Sequence, residues 1–166
     1  MIIFVGKNGT NAINLYENGF KIEEIFTSRE DSYAFSYFKG KVKVSMVEDL
    51  SVQLSQYQYN LIFLAGYLKK IPKEIVEQYS IINLHPSLLP SFKGLNALEK
   101  SYLAGYGTGI TIHKVNENID EGEILFQKSI DPSSLSLTEY KSLLKETEHK
   151  IVPSLIYDLF EEYSLN

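Results

Sequence analysis

The sequence predicts an α/β fold: an open, mostly parallel twisted sheet with helices on both faces. Two observations predict it. Runs such as Ile2–Val5 and Leu61–Gly66 are apolar throughout, as strands covered on both sides must be. Between such runs lie short segments with helical spacing and helix-end residues. Strand and helix therefore alternate from the amino terminus, the order that yields parallel crossovers.

The bulk properties agree with this class. A chain of 166 residues, 44% hydrophobic and 22% charged, is expected to form one domain over 1–166 with a real core. A net charge of −5 and a pI near 5.3 oppose a nucleic-acid groove or a polybasic membrane surface. The absence of cysteine excludes disulfides, thiolate nucleophiles and cysteine metal sites. Three histidines without paired spacing give no structural zinc pattern, so no metal is expected. No apolar run is long enough to span a bilayer, and Met1–Val5 reaches Gly6 too soon for a signal peptide. A soluble cytoplasmic protein is the expectation.

Taken in order, Ile2–Val5 is a first buried strand, and Gly6-Lys7-Asn8-Gly9-Thr10-Asn11 a polar glycine loop. Ala12 to Tyr16 opens a helix that Asn18-Gly19 ends. Strand, glycine loop and helix start together offer backbone N–H groups to a phosphate. The loop is neither of the well-known phosphate motifs, and an Asn-Gly turn that merely reverses the chain is the plain alternative. Lys21–Thr27 and Val42–Ser45 read as strands, Asp31–Phe38 as a brief helix between them, and Asp49–Tyr59 as a weakly amphipathic helix. Leu61–Gly66 is a central strand, and Pro72–Gln78 a short helix with proline in its first turn. A buried strand from Ser80 runs to Asn83. Gly94–Ala104 reads as a helix, Gly109–Val115 as a half-buried strand and Glu123–Ser129 as its return. A last helix starts near Ser136, and Pro153 should kink or interrupt it near His149. The architecture is Rossmann-like.

In such sheets ligands bind beyond the carboxyl ends of the strands. Asn83 and His85 stand two apart at one such end, so they share a side of the strand. Pro86 and Pro90 stiffen the loop that follows. His113, by contrast, reads as the anchor of a core hydrogen bond. Asn116 to Gly122 is an acidic loop with ordinary turn residues. Along the last helix, Leu137, Tyr140, Leu144, Ile151 and Leu155 form an apolar stripe into which Glu148 intrudes. A carboxylate there needs a partner or a polar pocket, unless it lies at the stripe's wet edge.

The string Asn83-Leu84-His85-Pro86-Ser87-Leu88-Leu89-Pro90-Ser91-Phe92-Lys93-Gly94 resembles the signature of the formyltransferase family that uses 10-formyltetrahydrofolate. Leu64–Tyr67 resembles the preceding strand and turn, and Ile119-Asp120-Glu121-Gly122 with Ile124–Gln127 the family's acidic loop and returning strand. Asn8–Asn11 is similar to its substrate-phosphate loop, and Glu148–Pro153 to its final helix. The resemblance implies formyl transfer from 10-formyltetrahydrofolate, as co-substrate, to the primary amine of phosphoribosylglycinamide. It implies Asn83, His85 and Asp120 as the catalytic set, Gly9, Thr10 and Asn11 on the phosphate, and Glu148 on the ribose hydroxyls. Leu68, Lys69, Lys70, Ile71, Asn83 and Val115, with the loop 115–120, would enclose the folate. The chain departs from the family in a shorter stretch before Asn60, in Leu68–Ile71, and in lacking a visible arginine for the folate tail.

Formyl transfer to an amine develops negative charge on the formyl oxygen and requires proton movement between two nitrogens. The Asn83 amide and a protonated His85 suit the oxyanion, and histidine suits the proton transfer. Asp120 beside His85 is expected to raise the imidazole's pKa. Neither a covalent intermediate nor a metal is required. The partners implied are small molecules, with no nucleic acid and no membrane, and a monomer or weak homodimer is expected. Two alternatives stand beside this reading: an amino-sugar nucleotide as the acceptor, and a non-catalytic folate-binding relative.

Overall fold

The computed structural model of the protein describes residues 1–54 and 61–164. In chain order the elements are β1 (Ile2–Val5), α1 (Thr10–Glu17), β2 (Glu24–Thr27), α2 (Tyr33–Tyr37) and β3 (Lys43–Met46). Then come α3 (Leu50–Leu54), β4 (Ile62–Ala65), α4 (Lys73–Gln78) and β5 (Ile81–His85). The chain closes with α5 (Ala97–Ala104), β6 (Gly109–Lys114), β7 (Ile124–Ser129) and α6 (Leu137–Ser164). Among the described residues the seven strands form one open sheet in the order β3-β2-β1-β4-β5-β6-β7. Pairing is parallel from β3 through β5 and antiparallel at β5–β6 and β6–β7.

Alternation along the buried strands divides the core in two. Ile3, Val5, Phe63, Ile82, Leu84, Ile110 and Ile112 pack against α1 and α6 through Leu15, Tyr140, Leu144 and Val152. Ile2, Phe4, Phe26, Ile62, Leu64 and Ile81 pack on the other side against Leu50 and Leu54 of α3 and Ile75 of α4. Each fully buried side chain of this size contributes roughly 1.5–3 kcal/mol. The expected helices on both faces are present.

Several boundaries differ from the sequence reading. β2 begins at Glu24, because Lys21 to Glu23 precede its pairing with β1. Pro72 caps α4 from outside instead of lying in its first turn, since its ψ of 149° is extended. α5 starts at Ala97, as positive φ at Gly94 and Asn96 holds the chain out of the helix until then. Of the helix expected over 49–59, α3 covers Leu50–Leu54, and 55–59 lie outside the described residues. β6 is buried on both faces instead of half-buried, for a reason the site makes plain. Pro153 does not interrupt α6. It deprives the His149 carbonyl of its helical donor, and the Asn14 side-chain amide of α1 donates to that carbonyl at 2.9 Å. The proline thus creates a docking point between two packed helices.

Candidate active site

The chain's order in the sheet reverses between β1 and β4, whose neighbours lie in opposite directions. A crevice is expected beyond the carboxyl ends there. The structure has two adjoining hollows on this edge. A cleft of about 670 Å³ is bordered by Leu68 to Ile71, Asn83, His85, Val115 and Asp120. A smaller hollow of about 200 Å³ is formed by Gly6 to Asn11, Ala65 and Lys145. Asn11 and Lys145 line both hollows.

Strand register assembles the polar side chains of the cleft. Asn83 and His85 alternate with the apolar Ile82 and Leu84 on β5, so they face away from the α1/α6 core. Antiparallel pairing sets His113 opposite Asn83 and Thr111 opposite His85 on β6. All four therefore share one face of the sheet. The loop from Pro86 to Phe92 and the acidic loop cover that face, which explains why β6 is buried. Thr111 bonds the first loop and His113 faces the second.

Asp120 reaches over from the acidic loop. Its Oδ2 lies 3.3 Å from His85 Nδ1 and accepts the Gly94 N–H at 2.8 Å, while Oδ1 lies 3.4 Å from the Asn83 amide nitrogen. Its φ of 54° is left-handed, a conformation that costs about 1 kcal/mol or more and that aspartate tolerates better than most residues. The ladder between β6 and β7 shifts here: Ile112 faces Phe126, but His113 faces Ile124, leaving Leu125 extra. Such bulges re-aim strands beside sites. His113 Nδ1 donates to the Lys114 carbonyl at 2.8 Å, so Nε2 accepts the Asn83 amide at 3.1 Å. His113 is therefore more than a core anchor. It orients Asn83, a role visible only once register puts the two residues opposite each other.

His85 is buried, and its Nε2–H donates to the Phe92 carbonyl at 2.6 Å. Burial outweighs the opposing pull of Asp120 and of the Phe92 bond, so the imidazole titrates below its ordinary value. The expectation that Asp120 would raise it is thus corrected: the carboxylate acts in that direction, but desolvation is larger. Asp120 shows the reverse balance. Burial pushes its carboxyl up, yet His113, the Gly94 N–H and the nearby imidazoles together hold it below the usual carboxylate range.

The glycine loop and α6 meet beside this cluster. Gly9 caps α1 with φ 61°, which lets Thr10 start the helix, and Gly9, Thr10 and Asn11 line the small hollow. Glu148 does lie on the inward face of α6 and is buried; the Asn11 amide donates to it at 3.0 Å, and Lys145 pairs with it. These two donors offset the desolvation of the carboxylate. Asn11 Oδ1 is buried with no partner among the described residues. Lys145, one turn before Glu148, escaped the sequence reading because a lysine among polar helix residues carries no local signal. Leu68, Lys69, Lys70, Ile71 and Val115 all border the larger cleft.

The comparisons with known proteins bear on this geometry. The sequence model of the family described as formyl transferase matches residues 20–156. The chain belongs to the formyl transferase family. It is 36% identical over 132 residues to phosphoribosylglycinamide formyltransferase of Bacillus subtilis, covering 77% of this chain and 68% of that protein. It is 32% identical over 123 residues to the human trifunctional purine biosynthetic protein adenosine-3, of which the match spans only 12%. Among solved structures, phosphoribosylglycinamide formyltransferase from Streptococcus pneumoniae superposes with a TM-score of 0.84 at 27% identity, covering 96% of this chain and 97% of that one. The family's open α/β sheet is the fold observed here. Among the described residues no helix is long and apolar enough to cross a membrane.

A pH dependence of stability follows from two depressed histidines in this formyl transferase. His85 and His149 are both held below their ordinary value chiefly by burial, and His149 Nε2 is buried without a partner among the described residues. The unfolded chain then binds more protons than the folded one, so their stabilisation is present above about pH 6.5 and is lost as pH falls through the folded values. Urea midpoints are expected to be lower at pH 5.5 than at pH 7.5, with a shallower difference in His149→Gln. Equal midpoints at the two pH values would contradict the assignment.

Proposed function

We propose that this protein transfers the formyl group of 10-formyltetrahydrofolate to the primary amine of phosphoribosylglycinamide. The observation that carries the reading is the convergence of Asn83, His85 and Asp120 in a cleft that adjoins the glycine-loop hollow. The volume of the cleft falls within the range of small-molecule sites. Two chemically different substrates, one phosphorylated and one largely flat and apolar, suit two hollows that share a wall. The names of the Bacillus and Streptococcus relatives favour the same acceptor.

In this reading Thr10 and Asn11 present backbone N–H groups to the phosphate at the start of α1, with Gly9 shaping the turn. Glu148 takes the ribose hydroxyls, with Lys145 and Asn11 holding its carboxylate in place. The pterin lies along Leu68 to Ile71 and Val115. The substrate amine attacks the formyl carbon, forming a C–N bond and placing charge on the formyl oxygen. The Asn83 amide donates to that oxygen; a single donor of this kind is worth ~10²–10³ in rate. The Phe92 bond commits Nε2, leaving Nδ1, beside Asp120, to exchange protons. That pair takes the proton released by the attacking amine and returns it to the folate nitrogen as the old C–N bond breaks. The reading carries with it one catalytic domain over 1–166, a cytoplasmic location, and a monomer or weak homodimer.

The test offers the purified protein 10-formyltetrahydrofolate with either phosphoribosylglycinamide or an amino-sugar nucleotide and follows deformylated folate. Turnover with the ribotide alone is expected. Turnover with the amino sugar alone reassigns the acceptor, and folate binding without turnover on either leaves a non-catalytic folate-binding protein. Glu148→Ala is expected to raise KM for the ribotide at least tenfold with little change in kcat, because it removes contacts made equally before and during reaction. An unchanged KM would reduce Glu148 to a packing group.

A further inference from the structure

The Phe92 carbonyl accepts two hydrogen bonds, one from His85 Nε2 at 2.6 Å and one from the Ser87 hydroxyl at 2.8 Å. Ser87 is wholly buried. Its own carbonyl accepts the Thr111 hydroxyl at 2.7 Å, and Thr111 Oγ1 in turn accepts the Leu89 N–H and the Gln127 amide. The Gln127 amide also donates to the Leu89 carbonyl at 2.8 Å. A continuous line of hydrogen bonds therefore runs from β7, through β6 and the loop after β5, to the imidazole. Nothing in the proposed chemistry uses Ser87, Thr111 or Gln127, yet β6, β7 and the loop after β5 are linked through Ser87 to the carbonyl that touches His85.

We propose that Ser87, held by Thr111 and Gln127, is a positioning residue that fixes His85 in the Nε2–H tautomer and limits how strongly the Phe92 carbonyl can hold that proton. Two donors on one acceptor each draw on the same lone-pair density, so each bond is weaker than it would be alone. The hydroxyl also fixes the carbonyl's direction, and with it the plane of the ring. Nδ1 consequently faces Asp120. Without the hydroxyl, the whole acceptor strength of Phe92 falls on Nε2–H, which favours the protonated ring.

The titratable and charged groups around the imidazole are Asp120 from the acidic loop and His113 from β6. Lys93, next to Phe92, is turned toward Glu121 at 2.7 Å. On α5 and α6, Glu99 pairs with Lys141 and Glu148 with Lys145, all lining the same cleft. None of these is altered by removing a neutral hydroxyl, so a change in His85 titration would report the shared carbonyl.

The proposal rests on His85 being the proton-transfer group, but its primary test does not use activity. Ring nitrogen and carbon NMR of the intact protein is expected to show the Nε2–H tautomer for neutral His85. An Nδ1–H tautomer would overturn the proposal without any variant being made. In Ser87→Ala the His85 midpoint is expected to rise by about half a pH unit, a modest fraction of the shifts that hydrogen bonds impose on buried groups. Ser87→Thr should restore it, because the hydroxyl returns. If Ser87→Ala does not fold, Thr111→Val removes the donor that holds Ser87 and should move the same midpoint upward by less. The pH–rate profile should shift with the midpoint while KM for both substrates stays within twofold. A midpoint and profile unchanged in a folded variant, whatever its melting temperature, would reduce Ser87 to loop packing. A protein inert toward phosphoribosylglycinamide would defeat the functional reading and leave the NMR result standing on its own.

Discussion

Asp120→Asn is expected to lower kcat by ~10²–10⁴, the range that a positioned acid–base group contributes, with the melting temperature nearly unchanged. The carboxamide is isosteric and keeps an oxygen for the Gly94 N–H, which Asp120 now accepts at 2.8 Å. That oxygen is also the one 3.3 Å from His85 Nδ1, so the position beside the imidazole keeps an oxygen but loses its negative charge. The imidazole then has no carboxylate with which to share a proton during transfer. His85→Ala should produce a loss of similar size by removing the ring itself. Its structural cost is small for a buried residue, because the Phe92 carbonyl keeps its bond from Ser87 and Asp120 keeps Gly94 and Asn83. The measurement is steady-state turnover at saturating folate and ribotide, beside a thermal melt. Near-normal kcat in a folded His85→Ala would remove His85 from the chemistry.

The parts of the fold legible in the sequence were those set by local pattern. The apolar run Ile62–Ala65 becomes a strand buried on both faces because nothing in it can face water. The apolar stripe of α6 and the glycine loop after β1 were equally plain. Lost to local reading was everything that depends on register or on a distant partner. His113 is an ordinary alternating residue until antiparallel pairing sets it against Asn83. Pro153 reads as a break until Asn14, far away in the chain, is found to satisfy the carbonyl it strands. The direction of the His85 shift is hidden from the sequence for a related reason. A neighbouring carboxylate could be foreseen from a motif, whereas the depth of burial depends on two loops closing over the sheet.

Gly122→Ala is the second large effect, and it acts on the backbone that delivers Asp120. Nothing about the position demands an unusual φ; the demand is for space. A Cβ at residue 122 would lie 1.7 Å from the Lys114 carbonyl oxygen and 2.7 Å from its carbon, distances no side chain can occupy. The acidic loop must therefore lift off β6. In doing so it strains the Lys114 N–H bond to the Glu123 carbonyl and the His113 bond to the Lys114 carbonyl, and it carries Asp120 away from His85. Overpacking of this kind costs typically 1–3 kcal/mol, which lowers the melting temperature of a chain this size by about 2–12 °C. Turnover should fall further than stability does, since a displacement of ~1 Å at a reacting group is worth about 10² in rate. Gly40→Ala separates the two causes. Gly40 has a φ of 73° but open space around it, so alanine there meets backbone strain alone. That variant is expected to lose about 1 kcal/mol and to retain its turnover. If Gly122→Ala behaves no differently from Gly40→Ala in urea titrations and in rate, the acidic loop does not owe its position to that contact, and Asp120 must be held by other means.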